Sequence, residues 1–98
     1  MRVGIYYAYW VHDWDVDFHP YVDKVAALGF DVLEVNAGTV AHMSLAERKA
    51  LKAHADDKGI ALSYCIGLPR EYDVASEDEA VRKSGVAFLQ KLAKAIGE

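Results

Sequence analysis

Aromatic side chains gather at the start of the chain, where they could form one wall of a ligand pocket. The run VGIYYAYW covers residues 3–10, and a second tryptophan, Trp14, follows four residues later. Leucine and valine would suffice for a core, whereas flat and rigid rings suit a small-ligand pocket. Aromatic residues also favour strands, and we interpret Tyr7, which points to the opposite side of the predicted strand from Tyr6, in that simpler way.

Two other side chains are candidates for binding but not for catalysis. Glu34 ends the second predicted strand, either as a solvated surface carboxylate or as a group that hydrogen-bonds a substrate, and the residues leave both readings open. Cys65 is the single cysteine, and no activating base for a nucleophilic thiol is identifiable. We therefore interpret Cys65 as a small and inert interior residue.

The four histidines do not have the spacing of a metal site. They match no zinc pattern and have no second cysteine to support them, so we interpret them as solvated or locally hydrogen-bonded imidazoles: His12, His19, His42 and His54. Glycine-rich phosphate loops are absent, which removes the main support for a nucleotide-binding fold. The spacing thus predicts no catalytic residue and no metal ligand.

Composition narrows the class of protein further. The 98 residues form one domain, 1–98, and the net charge of −4 argues against a nucleic-acid partner. No apolar run approaches the length of a transmembrane helix, and no signal peptide is expected. A lone cysteine favours a reducing compartment, so we expect the cytoplasm.

The hydrophobic periodicity predicts three strands alternating with three helices. Strands are predicted over 2–9, 31–36 and 60–66, and helices over 18–28, 44–58 and 76–96. Gly29 and Gly59 end the first two helices, and capping boxes at Ser44/Glu47 and Ser76/Glu79 open the second and third. On the last helix, one face carries the residues expected to be buried: Val81, Gly85, Phe88, Leu89, Leu92 and Ile96. This α/β order predicts a parallel sheet with its helices on one face.

Loop lengths and strand patterning indicate where a ligand would bind. The connections after the strands, 10–17, 37–43 and 67–75, are long, and in parallel α/β folds this edge binds ligands. One face of the predicted sheet is bulky and apolar, while the other is small and partly polar: Gly4, Ala8, Glu34, Asn36, Ser63, Cys65 and Gly67. Such a face suits the inside of a barrel near a binding site.

Several segments in order give the chain a resemblance to the N-terminal part of ketose 3-epimerases, the D-tagatose and D-psicose (D-allulose) 3-epimerases. They are GIYYAYW, Trp14, KVAALGFDVLEV and CIGLPREYDVASEDEAVRKSG. The resemblance implies a TIM (β/α)8 barrel, of which this chain would be three consecutive βα units with parallel strands. It implies that Tyr6 and Trp14 wall the C4 to C6 end of the sugar, and that Cys65 and Gly67 line the same pocket.

The resemblance also implies chemistry that these residues do not supply. In the family a manganese or cobalt ion is held by two glutamates, an aspartate and a histidine, and two of the carboxylates move the C3 proton through an enediolate. Those groups come from later strands, and such a barrel needs about 250 residues. We therefore expect the sugar-binding portion of an epimerase-like barrel that is inactive alone.

Two alternatives remain. The chain could be an engineered or excised self-associating (βα)3 scaffold without activity, or, with less support, a small open-sheet domain that binds a ligand at its loop edge. For the epimerase fragment and for the scaffold, the bare sheet face and two unpaired edges predict a partner. It would be a second copy of the chain or a complementing barrel fragment. A ketose would be the small-molecule ligand.

Overall fold

A three-stranded parallel sheet forms the centre of the molecule, whose residues 1–97 are described by a computed structural model. The strands are β1 (Gly4–Tyr6), β2 (Val32–Asn36) and β3 (Ala61–Cys65), and they lie in the order β1-β2-β3. Tyr6 pairs with Glu34, which pairs with Ser63 on β3. The predicted parallel α/β sheet is confirmed.

Residues 1–97 also contain four α-helices and two short 3-10 turns. The helices are α1 (His19–Ala27), α2 (Ala37–His42), α3 (Leu45–Asp57) and α4 (Glu79–Gly97), and the 3-10 turns are Tyr7–Tyr9 and Arg70–Tyr72. No helix within residues 1–97 is long and apolar enough to cross a bilayer.

The local signals for α1 and α3 are confirmed. The Ser44 hydroxyl accepts from the Glu47 amide, and the Glu47 carboxylate accepts from the Ser44 amide, which completes the capping box. Gly29 and Gly59 have φ angles of 85° and 71°. These left-handed conformations are strained for other residues, which explains why glycine follows each helix.

Two predictions near the strands are wrong. The first strand ends at Tyr6 instead of Tyr9, because the chain turns into a 3-10 helix at Tyr7. The strand alternation therefore stops there, and Ala8 packs against the core instead of facing the polar side. The predicted loop 37–43 is mostly the helix α2, which starts after Asn36, whose side chain accepts from the Gly38 amide.

The predicted capping box at Ser76 and Glu79 is also wrong. The Asp78 carboxylate accepts from the Ala80 amide, and the Asp78 carbonyl accepts from the Arg82 amide, so Asp78 is the residue that caps α4. Ser76 lies one step further out, where its hydroxyl accepts from the Asp78 amide. Aspartate caps a helix as well as serine does, and Asp78, which lies nearer the helix, occupies the capping position predicted for Ser76.

The core lies between β2 and the helices α1 and α3. Leu33 and Val35 point to this covered face and are fully buried, together with Tyr7, Phe18 and Val22. α1 contacts β2 and α3, and α3 contacts β3. Tyr7 thus lies in the core, on the helix side of the sheet.

A second apolar cluster joins α4 to α2. Leu92 and Ala95 pack on Ala37 and Ala41. The predicted buried stripe of α4 is partly wrong, since Leu89 and Ile96 are each 37% exposed while Ala95 is buried. The stripe is rotated because α4 packs on the small residues of α2, the helix that the sequence did not predict.

Candidate functional site

The open face of the sheet carries a row of polar side chains across the three strands, which we call the polar row: Tyr6, Glu34, Ser63 and Cys65. The strand register places Tyr6, Glu34 and Ser63 side by side. The Ser63 hydroxyl donates to the Glu34 carboxylate at 3.3 Å. Cys65 interacts with both Tyr6 and Glu34. The structure thus brings three of the candidate residues, Tyr6, Glu34 and Cys65, into one network.

The titration behaviour of the polar row indicates where its protons lie. Burial raises the pKa of Tyr6, and the hydrogen bond to Cys65 raises it further, as expected when the phenol is the donor. Burial also raises the pKa of Cys65; the bond from Tyr6 lowers it, and the bond to Glu34 raises it again. The Tyr6 phenol and the Cys65 thiol therefore both keep their protons at neutral pH.

These raised pKa values limit the chemistry of the polar row. A thiol with a raised pKa stays protonated at neutral pH and is a poor nucleophile. The Glu34 carboxylate, in contrast, is an acceptor held in place by two neighbours, and it can accept hydrogen bonds from further hydroxyl groups. The row is suited to binding a polyhydroxylated ligand and not to covalent catalysis.

A groove of about 830 Å³ lies at the carboxyl edge of the sheet. We call it the edge groove. Trp14 and Gly67, the other two candidate residues, line it together with Asn36, Thr39 and Phe88. Its position at the ends of the strands is where ligands bind in parallel α/β folds.

Three hydrogen bonds on one carbonyl oxygen fix the loop that carries Trp14. The Trp14 carbonyl accepts from the Tyr7 hydroxyl at 3.1 Å, from Asn36 Nδ2 at 3.4 Å and from the Thr39 hydroxyl at 2.9 Å. These donors come from the ends of β1 and β2 and from α2. The backbone of Trp14 is therefore anchored, while its side chain remains 61% exposed beside the edge groove.

Asn36 is the organising residue that the sequence analysis did not identify as such. Its Oδ1 accepts from the Gly38 amide and so starts α2, while its Nδ2 donates to the Trp14 carbonyl. It also pairs with Cys65 in the strand register, which places it between the polar row and the edge groove. An asparagine at a strand end followed by alanine and glycine is a helix-start signal that could have revealed it.

The opposite wall of the edge groove is held tightly against α4. The Tyr72 and Phe88 rings stack with centroids 4.3 Å apart. A β-carbon on Gly85 would lie 2.2 Å from the Tyr72 carbonyl oxygen, so only glycine allows the 3-10 turn to approach α4 this closely. The turn and α4 therefore form one unit.

A metal ion of the kind that the family resemblance implies does not fit the residues described. Within residues 1–97, no three His, Cys, Asp or Glu side chains converge on a point where such an ion could bind. Glu34 has only hydroxyl and thiol neighbours, which are not the carboxylates and imidazole of the implied ligand set. We assign no step of a reaction to a metal held by this part of the chain.

Comparison with known proteins shows that the chain is similar to D-psicose 3-epimerases. The chain is 45% identical over 91 residues to a D-psicose 3-epimerase of Agrobacterium fabrum, covering 93% of the chain and 32% of that protein. It superposes with a TM-score of 0.94 and 43% identity on a D-psicose 3-epimerase crystallised in the presence of D-fructose, covering 98% of the chain and 33% of that structure.

A second solved structure agrees. It is a D-psicose 3-epimerase with D-tagatose from Clostridium cellulolyticum H10, with a TM-score of 0.95 and 41% identity over 98% of the chain and 33% of that structure. No protein-family model matches the chain. The chain spans about a third of the length of these relatives.

Proposed function

Because this chain is the counterpart of the N-terminal third of the D-psicose 3-epimerases, we propose that it supplies the sugar-binding wall of a barrel that epimerises a ketose at C3. The single observation that carries this proposal is the position of the Trp14 ring. It stands on an anchored backbone beside the edge groove. Aromatic rings flanked by fixed hydrogen-bonding groups are typical of small polar ligand sites.

Each candidate residue has a role in this proposal. Trp14 and Tyr6 give the apolar surfaces on which the sugar carbons rest, and Glu34 accepts hydrogen bonds from sugar hydroxyls. Cys65 and Gly67 complete the wall after β3, where glycine leaves open space and the thiol remains protonated. None of the five moves the C3 proton.

The proton transfer is proposed to need groups from outside these residues. The manganese or cobalt ion implied by the family resemblance would polarise the ketose carbonyl, and its ligands and the acid/base carboxylates would come from further βα units. The 98 residues by themselves are then inactive.

The partner that best fits the sheet is a complementing barrel fragment. An eight-stranded barrel needs five strands besides the three described here. Two copies of the chain would give six strands and three copies nine, so copies alone do not close such a barrel. The complement would cover the polar row and pair with the outer edges of β1 and β3.

Reconstitution tests the enzymatic proposal. The 98-residue chain is mixed with the remaining two thirds of the Agrobacterium fabrum relative, and conversion of D-fructose to D-psicose is followed with manganese present. We expect turnover from the mixture and none above background from the chain alone. Turnover by the chain alone, or a stable complex that has manganese and remains inactive, would overturn the proposal.

A pair of aromatic variants tests the role of Trp14 in that mixture. Trp14→Ala removes a ring beside the edge groove, while Tyr9→Ala removes a ring that is 76% exposed and does not line it. We expect KM for the ketose to rise by roughly tenfold for Trp14→Ala, because about 1.4 kcal/mol of apolar contact is lost. Equal KM values for the two variants would exclude Trp14 from the sugar wall.

A second candidate function is a self-associating scaffold without activity. The observation in its favour is the open polar row flanked by two unpaired strand edges, which favour pairing with another chain. Light scattering at micromolar concentration is expected to find an oligomer of the chain alone. If the complement fragment fails to dissociate that oligomer, the scaffold is the better description; a well-folded monomer would contradict both partner proposals.

A further inference from the structure

Two histidines from different helices meet on the outer side of the covered face, away from the polar row and the edge groove. His19 begins α1, His54 lies near the end of α3, and their Nδ1 atoms are 2.6 Å apart. The Nε2 atom of His54 is 2.7 Å from an Asp23 carboxylate oxygen. Asp23 follows His19 by four positions on α1, so both side chains reach His54 from one face of that helix.

The two imidazole rings meet edge to edge and do not overlap. Rings stacked face to face stand about 3.5 Å apart, because closer carbon contacts are repulsive. The Nδ1 atoms are closer than that, at 2.6 Å, while the ring centroids are 4.9 Å apart and the planes differ by 20°. Each Nδ1 atom therefore faces the other in the ring plane, which is the geometry of a hydrogen bond from an N–H group on one ring to the lone pair on the other.

This geometry fits one proton and does not fit a transition metal. Imidazole nitrogens stand about 2.0–2.1 Å from zinc, so a bridging ion would need the two nitrogens much further apart than they are. A hydrogen bond needs one donor and one acceptor, so only one of the two Nδ1 atoms can carry a proton. The other side of His54 donates to Asp23, which fixes its orientation.

From this arrangement we propose that His19, His54 and Asp23 form a one-proton latch that joins α1 to α3 and opens in acid. With one proton between the Nδ1 atoms, the three groups make a continuous hydrogen-bonded chain. When both imidazoles take up their second proton, two N–H groups and two positive charges face each other and the contact is lost. The unfolded chain accepts both protons freely, so acid favours the opened state.

The charged groups around the latch do not offset the repulsion between two imidazolium rings. Asp23 compensates one imidazolium only, and its carboxylate faces the Nε2 side of His54. Asp17 is engaged by the His19 backbone amide. Asp57 and Lys58 follow His54 by three and four positions on its own helix and carry opposite charges, and Lys24 on α1 lies over the Trp10 ring.

Urea unfolding at pH 7.5, 6.5 and 5.5 tests the latch in the full chain, at one protein concentration. Once both imidazoles titrate, the unfolded chain binds one more proton than the folded chain, so the contribution of the latch to stability falls toward the acid end of this range. The folding equilibrium constant is expected to drop by up to about tenfold per pH unit from this one proton. In His19→Gln the amide replaces one imidazole, so two imidazolium rings can no longer face each other, and this part of the pH dependence is expected to disappear.

His12→Gln is the matched control, because His12 is exposed and makes no contact with the latch. It should keep the pH dependence of the unaltered chain. A pH dependence of His19→Gln equal to that of the unaltered chain would overturn the proposal. Should His19→Gln fail to fold, nitrogen NMR of the unaltered chain decides: two fully protonated rings in the folded protein at pH 5.5 overturn the latch, and a retained neutral Nδ1 supports it.

Discussion

Leu33 and Glu34 are neighbours in β2, yet they lie in opposite surroundings. Leu33 is fully buried among Tyr7, Phe18 and Val22, whereas Glu34 lies in the half-exposed polar row with only Ser63, Cys65 and Tyr6 near it. The covered face is completed by the chain's own helices. The open face carries the polar row instead, whose four side chains are only half-buried. Stability should therefore depend on the first face, and binding on the second.

The largest expected effect is on the covered face. Leu33→Ala leaves a cavity in the core and is expected to lower the free energy of unfolding by about 2–5 kcal/mol, measured by urea denaturation. Leu45→Ala is the control, because Leu45 is 45% exposed, and it should cost less than about 1 kcal/mol. If Leu33→Ala is as mild as Leu45→Ala, the core is not where the structure places it.

The next effect concerns the wall between the covered face and the edge groove. A β-carbon at Gly85 would be 2.2 Å from the Tyr72 carbonyl oxygen, whereas one at Gly97 meets nothing within 4 Å. Gly85→Ala is expected to cost about 1–3 kcal/mol, because the 3-10 turn must move away from α4. Gly97→Ala, also on α4, should be neutral or slightly stabilising, since alanine is the better helix former.

Thermal unfolding of these two variants compares them directly. Equal melting temperatures would mean that the turn 70–72 does not rest on α4. A loss confined to Gly85→Ala would support the close approach and, with it, the shape of the edge groove.

Much of this architecture is predictable from the sequence, because it rests on local signals. The alternation of Leu33, Glu34 and Val35 predicts which side each residue takes, and Gly29 and Gly59 mark the helix ends through their left-handed conformations. The family resemblance supplied the barrel, which three strands alone do not specify.

The parts that were wrong depend on contacts between distant residues. Tyr7 leaves the strand because its hydroxyl reaches the Trp14 carbonyl and its ring fills the core. α2 forms because Asn36 caps it and α4 packs on it. The sequence contains the asparagine cap, but tertiary packing decides whether residues 37–42 form a helix or an extended loop.

Alkaline pH is expected to lower stability moderately, through ionisable groups on both faces. Burial raises the pKa of Tyr7 and Tyr64 on the covered side and of Tyr6 and Cys65 in the polar row. The folded chain thus keeps these protons after the unfolded chain has lost them, so stability is full below the ordinary pKa values and falls as the pH rises above them. The thiol, with an ordinary value of 9.0, begins the loss.

Melting temperatures between pH 8 and 10.5, with a reducing agent present, measure this decline. In Cys65→Ser the onset should move up toward the tyrosine value of 10.0. An unchanged onset would show that Cys65 is not part of the network, and a flat profile in the unaltered chain would remove the burial argument for all four groups.

The smallest expected effect on stability is at Glu34. It allows a direct comparison with its neighbour Leu33. Glu34→Gln keeps an acceptor for the Ser63 hydroxyl and removes only the charge. On an open face this should change the free energy of unfolding of the isolated chain by less than about 0.5 kcal/mol. In the reconstituted mixture the same change should weaken ketose binding, because a neutral amide is a poorer acceptor than a carboxylate. A loss in the isolated chain as large as that of Leu33→Ala would mean that another chain already covers the polar row, and the two faces would then be equally buried.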